Sequence, residues 1–516
     1  MGSSPPLSPT RQDGHHHQHH HHERDPTEQT PLLTASTDTI VASETDTLIV
    51  NGAKKPSSIA PSEKPLPKMQ IFLLCYARMT EPIAFFSIFP FIADMLHRVG
   101  NMPKSDVGFY SGLIESLFSA TQMLVLIFWG RLADRLGRKP VLLYSMSGMI
   151  VGPVLFCMST SLWQMILFRC LTGVFSGSGL IIRTMISEHS TPETQARAFS
   201  WFAFAGNVGI FIGPLVGGPL SDPIRQYPGL FKGIDFFERY PYALAGMAVA
   251  AISLTSAITS ALFLEETLPK EDDGPGANGS GPGGQPHPER SSMWELLKAP
   301  GVGAVLWVYG HVMFLAFAFT AISPVAVYIP VELGGLELGP SMISAFMASQ
   351  GASQALWLLL AFPYLHRRMG TKGVMRACGA AYPVFFVGYI ALNLLLREGG
   401  PHAKAAFWVL AVVVVFIGPG VSMCFTSAQL ALNDVAPDTH VLGTLNAIAL
   451  TGSSAIRSVV PGVATAVYAL GVHNQILGGH LAWVILIPCS AALAVCARWL
   501  PEGRKPRQAT TDEEEE

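Results

Sequence analysis

Five ionisable side chains within the long apolar stretches of this 516-residue sequence are candidates for function: Glu81, Glu115, Arg169, His311 and Arg457. A charged side chain at the centre of a membrane span costs about 2.5–3.5 kcal/mol on insertion scales, so such residues are rarely only structural. We predict that Glu115, Arg169 and Arg457 line a central polar cavity. For Glu81 and His311, a satisfied polar contact near a helix end is an equally good interpretation.

A buried carboxylate is a natural proton carrier, because low-dielectric surroundings disfavour its charged form and raise its pKa. Glu115 is the first candidate for this role and Glu81 the second. A neighbouring arginine would lower the cost of the charged form. Our hypothesis is that a proton and a substrate compete for the site that these residues form.

A second charged group lies in the short segment Gly130–Pro140, between two apolar stretches. It combines two glycines, one acid and three basic residues that could act together: Gly130, Asp134, Arg135, Gly137, Arg138 and Lys139. An acid at a helix end can bind a neighbouring helix N terminus or an arginine, and can release it when the helices move. The alternative is a loop whose solvated charges only anchor it on the cytoplasmic side.

Glycines recur every fourth residue further along the chain, at Gly209, Gly213 and Gly217, with Pro214 and Gly218 beside them. This spacing puts the three glycines on one face of a helix, where another helix can approach closely. Pro214 removes a backbone hydrogen bond and permits a bend. Simple helix packing accounts for much of this pattern.

The elements that carry these residues are membrane spans. The hydrophobic set makes up 49% of the chain and charged residues only 13%, whereas about 25% charge is usual in soluble proteins. The first 67 residues are polar and contain no signal peptide, so we expect the first span to act as the targeting signal. Twelve apolar segments follow, each long enough to cross about 30 Å of hydrocarbon as a helix. We place them at 69–93, 107–130, 140–160, 162–185, 197–220, 241–264, 302–328, 341–365, 374–396, 405–430, 441–469 and 478–499.

A polar stretch rich in Gly, Pro and acids, Glu265–Arg290, separates six apolar segments from six others. We therefore predict an all-α membrane protein built from two pseudo-symmetric six-helix bundles. The predicted regions are a disordered cytoplasmic tail at 1–67, the bundles at 68–264 and 301–500, a cytoplasmic linker at 265–300 and an acidic cytoplasmic tail at 501–516.

Two basic loops set the orientation and form an internal repeat. The loop at Gly130–Pro140 and the loop at Arg367–Arg376 fall on the side of both tails, which the positive-inside rule makes cytoplasmic. Residues 134–139 (DRLGRK) align with residues 367–372 (RRMGTK), although the second copy has lost the acid. Repeats of this kind are typical of transporters that rock one half against the other.

The string from Gly130 to Pro140 resembles the loop signature of the major facilitator superfamily almost letter for letter. The resemblance implies the major facilitator fold and a cytoplasmic gate formed by Asp134, Arg135, Arg138 and Lys139. The string from Gly206 to Gly218 resembles the antiporter signature of drug:proton exchangers in that superfamily, which favours efflux. Arg169 resembles the fourth-span arginine that the family associates with proton coupling.

Longer strings, such as Asp106–Gly112 and Glu266–Leu268, resemble the zinc-induced-facilitator-like branch and fungal transporters from secondary-metabolite clusters. This resemblance implies a secondary active transporter, most simply a proton-coupled exporter of a small organic molecule by alternating access. A proton-coupled uptake symporter and a membrane sensor that binds a ligand without moving it are the alternatives. The second basic loop departs from the family pattern, so the gate role is limited to the first.

We expect no enzymatic activity, because the sequence contains no catalytic triad spacing and no nucleotide-binding loop. We also expect no cofactor and no metal site, and we interpret the His-rich tract at 15–22 as low-complexity sequence. The net charge of −3 argues against a nucleic-acid partner. The expected partners are the lipid bilayer, a small organic substrate and protons. We expect a monomer, in the plasma membrane by preference, with a vacuolar or endosomal membrane as the alternative.

Overall fold

The computed structural model describes residues 66–268, 299–435 and 439–501, and all regular structure in these ranges is helical. The predicted N-terminal and acidic tails and most of the predicted linker lie outside the described residues. Helices are expected here because hydrocarbon offers no partner for backbone groups, which must therefore pair within their own segment.

Six spans, numbered here in chain order, form the N-terminal half. Spans 1 to 6 are Lys68–Arg98, Val107–Leu136, Arg138–Cys157, Leu162–His189, Pro192–Gly217 and Ala243–Phe263. Three short helices precede span 6, at Pro223–Gln226, Pro228–Phe231 and Asp235–Arg239. The observed bounds lie within several residues of the predicted ones.

The C-terminal half also crosses the membrane six times. Span 7 is Val302–Tyr328, and spans 8 and 9 together form the helical segment Pro340–Glu398. Spans 10, 11 and 12 are Pro401–Asp434, Thr439–His473 and Leu481–Trp499. The segment Pro340–Glu398 is the second helical segment of this half. It has 59 residues, which at 1.5 Å per residue is about 90 Å and far too long for one crossing. The backbone of Gly370 is not helical there (φ 67°, ψ 175°), so the segment divides into spans 8 and 9. The eleven candidate segments in the described residues therefore make the twelve predicted crossings.

Spans 1, 4 and 10 each consist of two helices joined at a break inside the membrane. Their component helices are Lys68–Phe86 and Phe89–Arg98, Leu162–Phe175 and Ser178–His189, and Pro401–Phe416 and Met423–Asp434. A break frees backbone carbonyls, which need new partners in hydrocarbon. The Val174 carbonyl of span 4 accepts a hydrogen bond from the indole N–H of Trp129 in span 2 (2.6 Å). The Phe416 carbonyl of span 10 accepts one from the indole N–H of Trp357 in span 8 (2.8 Å). In both halves, a tryptophan of a neighbouring span thus binds a carbonyl that the break frees.

The two basic loops have corresponding backbones. Gly137 between spans 2 and 3 has φ 105°, and Gly370 between spans 8 and 9 has φ 67°. Positive φ strains any residue with a side chain, which explains glycine at both positions. Each loop also binds the last residues of its own half: Arg138 binds Glu266 after span 6, and Lys372 binds the Leu500 carbonyl after span 12. The structure therefore agrees with the internal repeat that the sequence predicts.

The side-chain hydrogen bonds between the halves in the described residues are concentrated toward one side. We call the side of Gly137 and Gly370 the basic-loop face, and the other side the opposite face. Every side-chain hydrogen bond between the halves in the described residues lies in the part of the spans nearer the opposite face: Tyr328 to Asp94, Ser341 to Gln226, Ser344 to the Pro214 carbonyl, the Gly462 amide to Ser116, and His473 with Asp106. Nearer the basic-loop face, no side-chain hydrogen bond between described residues joins the halves.

Candidate functional site

Charged residues gather in the middle of the spans, where the halves face each other. We call this group the charged cluster, and its members interact electrostatically with one another: Arg78, Glu81, Glu115, Arg169, Arg183 and Arg457. The structure therefore brings together four of the five candidate coupling residues from the sequence analysis. Span 11 supplies Arg457, and spans 1, 2 and 4 supply the rest.

Two arginines share the ring of Phe85. The guanidinium carbon of Arg169 lies 5.0 Å from the centroid of this ring, and that of Arg457 lies 4.6 Å from it. Arg169 also lies 4.2 Å from the Phe118 centroid. Only 3% of Arg169 is exposed, and its Nε and Nη2 have no hydrogen-bond partner in the described part of the chain. Contacts with aromatic faces and the nearby Glu115 carboxyl group therefore compensate part of this buried charge.

Glu115 lies in the same buried region, with 4% of its surface exposed. It interacts electrostatically with Arg457 and Arg169. Among the described residues, no hydrogen bond and no ion pair within 4.0 Å involves its carboxyl group. Span 2 thus presents a buried carboxyl group near two arginines without fixing it to either.

Glu81 is held quite differently, at the break of span 4. Its carboxylate accepts hydrogen bonds from Gln122 (2.7 Å), Ser176 (2.8 Å) and Ser178 (2.9 Å), and Arg78 lies at 3.8 Å. Ser176 can reach Glu81 because the helix stops there. Three donors and an arginine stabilise the carboxylate form of Glu81.

Arg78 and Arg183 are members of the cluster that the sequence analysis did not single out. Both lie over the ring of Phe202 in span 5, at 4.9 Å and 5.2 Å from its centroid. Arg183 also lies within electrostatic range of Tyr309 in span 7, across the gap between the halves. Both arginines fall inside predicted spans, so the criterion that selected Arg169 would have identified them.

An aromatic pocket of about 280 Å³ lies between the halves, next to the charged cluster. Phe86, Ile210 and Pro214 line it from the N-terminal half, and most of its remaining wall comes from spans 7, 8, 9 and 10 of the C-terminal half. That wall combines aromatic rings, such as Phe317, with uncharged polar groups, such as Gln350. The rings of Phe86 and Phe85 are 5.0 Å apart, so the pocket and the cluster meet at these two residues.

His311 of span 7 lies outside the charged cluster. Its Nε2 is 2.8 Å from the Cys489 carbonyl in span 12, to which it donates a hydrogen bond. Both residues belong to the C-terminal half. This geometry corresponds to the satisfied polar contact that the sequence analysis gave as the second interpretation of His311.

The predicted gate residues form an ion-pair network within the N-terminal half. Arg138 binds Asp134 (2.6 Å) and Glu188 (3.2 Å) through its side chain. Its backbone N–H donates to Glu266 (2.8 Å), and that of Lys139 does the same (3.1 Å). Gly130 lies within contact distance of span 4, and Arg135 is exposed. In this conformation the network holds the loop to spans 4 and 6 of its own half.

Glu266 binds the N terminus of span 3, where backbone N–H groups lack partners within the helix. Burial raises the pKa of this carboxyl, but hydrogen bonds from the backbone N–H groups of Leu268, Arg138, Lys139 and Thr267 outweigh that effect, and the net shift is downward. Gly137 has to be glycine for a second reason, because a Cβ there would lie 2.6 Å from Glu266 Oε2.

The glycine face of span 5 packs against span 1. A Cβ at Gly209 would lie 2.7 Å from the Met79 carbonyl oxygen, and one at Gly217 only 1.7 Å from that of Ser87. One at Gly213 would meet Phe86 at 2.9 Å. Beside this face, the Pro214 carbonyl accepts a hydrogen bond from Ser344, and a Cβ at Gly218 would lie 2.3 Å from the Cβ of Ser344. The motif therefore serves close packing within one half and contact with span 8 of the other.

The sequence profile described as "Major Facilitator Superfamily" matches residues 71–461. The chain is 41% identical over 451 residues to efflux pump azaK of Aspergillus niger, covering 87% of this chain and 91% of that protein. It is 27% identical to ZINC INDUCED FACILITATOR-LIKE 1 of Arabidopsis thaliana, with 78% and 84% of the two chains covered. A bacterial homologue of the human lysosomal transporter Spinster, solved in an inward-facing and unoccupied conformation, superposes with a TM-score of 0.60 at 15% identity, over 85% of this chain and 98% of that one.

Proposed function

The chain belongs to the major facilitator superfamily, and we propose on that premise that it exports a small organic molecule across a membrane in exchange for protons. Its family and its similarity to a fungal efflux pump indicate that it is a secondary transporter.

The contacts between the halves support a conformation that loads its substrate from the cytoplasm. They lie near the opposite face, and the positive-inside rule makes the basic-loop face cytoplasmic. The aromatic pocket would then be reached from inside the cell, as export requires. Closing the basic-loop face and opening the opposite face would release the substrate outside.

The observation that carries proton coupling is the contrast between the two central carboxyl groups. Glu81 accepts three hydrogen bonds that hold it as a carboxylate, whereas Glu115 is buried without a donor or an ion pair in the described residues. A buried carboxyl group that no donor holds in its charged form can bind a proton. We therefore assign proton binding to Glu115, with Arg169 and Arg457 close enough to sense its charge.

Replacing Glu115 by Gln tests this assignment, because the amide keeps the shape and removes the titratable group. In yeast cells that produce the protein at acidic external pH, we expect metabolites to accumulate in the medium. The variant Glu115→Gln should reduce this export to the level of cells without the protein. Untargeted mass spectrometry of medium and cells, with and without a protonophore, measures the effect.

Glu332→Gln, an exposed change in the loop after span 7, is the matched control and should export normally. Membrane abundance of each variant is measured in parallel. Normal export by Glu115→Gln would remove this residue from the mechanism. Accumulation inside the cells would indicate an uptake symporter, and no flux in either direction would indicate a sensor.

The same cells test the remaining parts of the proposal. We assign the protein to the plasma membrane, with a vacuolar or endosomal membrane as the alternative, and to the monomeric state. Imaging of a fluorescent fusion identifies the membrane, and light scattering of the purified protein in detergent gives its mass. Export to the medium requires the plasma membrane, whereas vacuolar sequestration would leave the solute inside the cells.

A further inference from the structure

The charges of the central cluster do not balance. It contains four guanidinium groups and two carboxyl groups. Within the described residues, the sole ion pair among its members joins Arg78 to Glu81, at 3.8 Å. Arg169, Arg183 and Arg457 make no ion pair there, and the carboxylate of Glu81 already has three neutral donors. The site is therefore positively charged even when both carboxyl groups are ionised.

Cation–π contacts compensate only part of this charge. Such a contact stabilises a buried cation by much less than an unpaired charge inside a protein costs. Arg169 is 3% exposed, and two of its nitrogen atoms have no hydrogen-bond partner among the described residues. Arg457 makes no hydrogen bond in the described residues and is partly accessible from the space between the halves. An anion bound beside Arg457 would supply the missing partner.

The position of Arg457 also indicates the shape of that anion. Arg457 lies over Phe85, and Phe85 contacts Phe86, which lines the aromatic pocket. The pocket contains no charged side chain, and its polar groups are hydroxyls and amides. One ligand can therefore place a negative group against the arginines and an apolar or aromatic body in the pocket.

We infer that the transported molecule is an amphipathic organic anion, whose negative group binds at Arg457 beside Arg169 and whose aromatic body fills the pocket around Phe86 and Phe317. This inference rests on the proposed export function and adds the chemical class of the cargo. It also gives Arg457 a specific role: it contacts the cargo directly, and Arg169 contributes its field from behind the Phe85 and Phe118 rings.

A pair of probes that differ only in charge tests the inference. 2-Naphthalenesulfonate is an anion at every working pH, and 2-naphthalenesulfonamide has the same aromatic body and is neutral at pH 7. Equilibrium dialysis against the full-length protein in nanodiscs measures the binding of each. We expect the anion to bind at least about tenfold more tightly, as a charge-assisted contact to an arginine implies.

Variants of Arg457 identify the contact. Arg457→Gln should weaken binding of the anion at least about tenfold and change binding of the neutral probe less than about twofold, because only the anion uses the charge. Arg457→Lys keeps the charge and should restore part of the preference. Arg239→Gln, on an exposed helix before span 6, is the control and should leave both affinities unchanged. Thermal unfolding of each variant checks that it is folded.

Equal binding of the two probes, tighter binding of the neutral one, or no binding of the anion would overturn the inference. An anion preference that survives in Arg457→Gln would also overturn it. The proposed function fails separately. Metabolite export without an anion preference would leave the export proposal intact, whereas an anion preference without any export would leave only the binding site.

Discussion

Single residues with several partners hold the N-terminal half together at the basic-loop face. Arg138 joins span 2 to span 4 through Asp134 and Glu188, while its backbone N–H joins span 3 to Glu266. Side-chain and backbone groups of one residue thus connect four spans. A change at this position or at its partners should affect the stability of the whole half as well as transport.

We expect the contact between Glu266 and span 3 to depend on pH. The pKa of Glu266 lies below its usual value in the folded protein, so the contact stabilises the fold above the unfolded-state pKa. This stabilisation should be lost as the pH falls through the lowered, folded-state pKa, where the carboxylate becomes protonated. At pH 7, Glu266→Gln should therefore be less stable than the wild type by about 0.3–1 kcal/mol and should unfold at a lower temperature. The difference in stability should vanish in acid.

Thermal unfolding in detergent from pH 3.5 to pH 7 measures this difference. Glu265→Gln is the matched control, because Glu265 is the neighbouring residue and makes no carboxylate contact with the N terminus of span 3. A difference between wild type and Glu266→Gln that stays constant across the range would contradict the prediction.

At the scale of elements, close approach of span 5 to span 1 depends on the absence of side chains. Gly217→Ala would place a Cβ 1.7 Å from the Ser87 carbonyl oxygen, which is backbone and cannot rotate away. We expect this variant to lose at least about 1–3 kcal/mol of stability, the usual cost of overpacking. Size-exclusion chromatography of a fluorescent fusion after heating measures the loss.

Gly452→Ala in span 11 provides the comparison, because nothing lies within 4 Å of the Cβ position there. This variant should elute like the wild type after the same treatment. Equal behaviour of Gly217→Ala and Gly452→Ala would show that the two spans can separate without cost.

The elements were more predictable than the contacts between them. Hydropathy indicated all twelve crossings, because each must match the thickness of the hydrocarbon core. The breaks in spans 1, 4 and 10 were not predicted, because a broken helix remains as apolar as a continuous one. The role of Ser176 follows from such a break, since its hydroxyl reaches Glu81 only where span 4 is interrupted.

Long-range partners were equally hidden from sequence reasoning. The sequence predicts a gate in residues 130–140, but Glu188 and Glu266, which bind this loop, lie about 50 and about 130 residues away along the chain. Only the fold shows that the ends of spans 4 and 6 meet the loop between spans 2 and 3. Glu115, Arg169 and Arg457 were found in advance because a charge within an apolar span is conspicuous in any sequence.

At the scale of the whole molecule, the charge of the cargo determines how the membrane potential acts on transport. Export of one monovalent anion in exchange for one proton moves two positive charges inward, whereas export of a neutral solute would move one. A potential of 100 mV, negative inside, should therefore contribute roughly twice the 2.3 kcal/mol that a single charge gains. Proteoliposomes with 2-naphthalenesulfonate inside and a potassium diffusion potential measure this contribution.

Protein-free liposomes, which should release little of the sulfonate, and proteoliposomes held at zero potential, which should release it more slowly, are the controls. The direction of insertion is determined by protease access to residues 265–300. A rate of sulfonate release that does not depend on the potential would mean that the exchange is electroneutral. This result would contradict a stoichiometry of one proton for one anion.

The hydrogen bonds between the halves lie nearer the opposite face, and each contributes only modestly to the free energy that holds this face closed. Three of the five in the described residues join uncharged partners: Ser341 and Gln226, Ser344 and the Pro214 carbonyl, and the Gly462 amide and Ser116. Each is worth about 0.5–1.5 kcal/mol, and neutral partners are insensitive to ionic strength. Thermal motion can break such hydrogen bonds in microseconds to milliseconds. Because most of these bonds join neutral partners, external salt should leave the turnover rate of the carrier nearly unchanged.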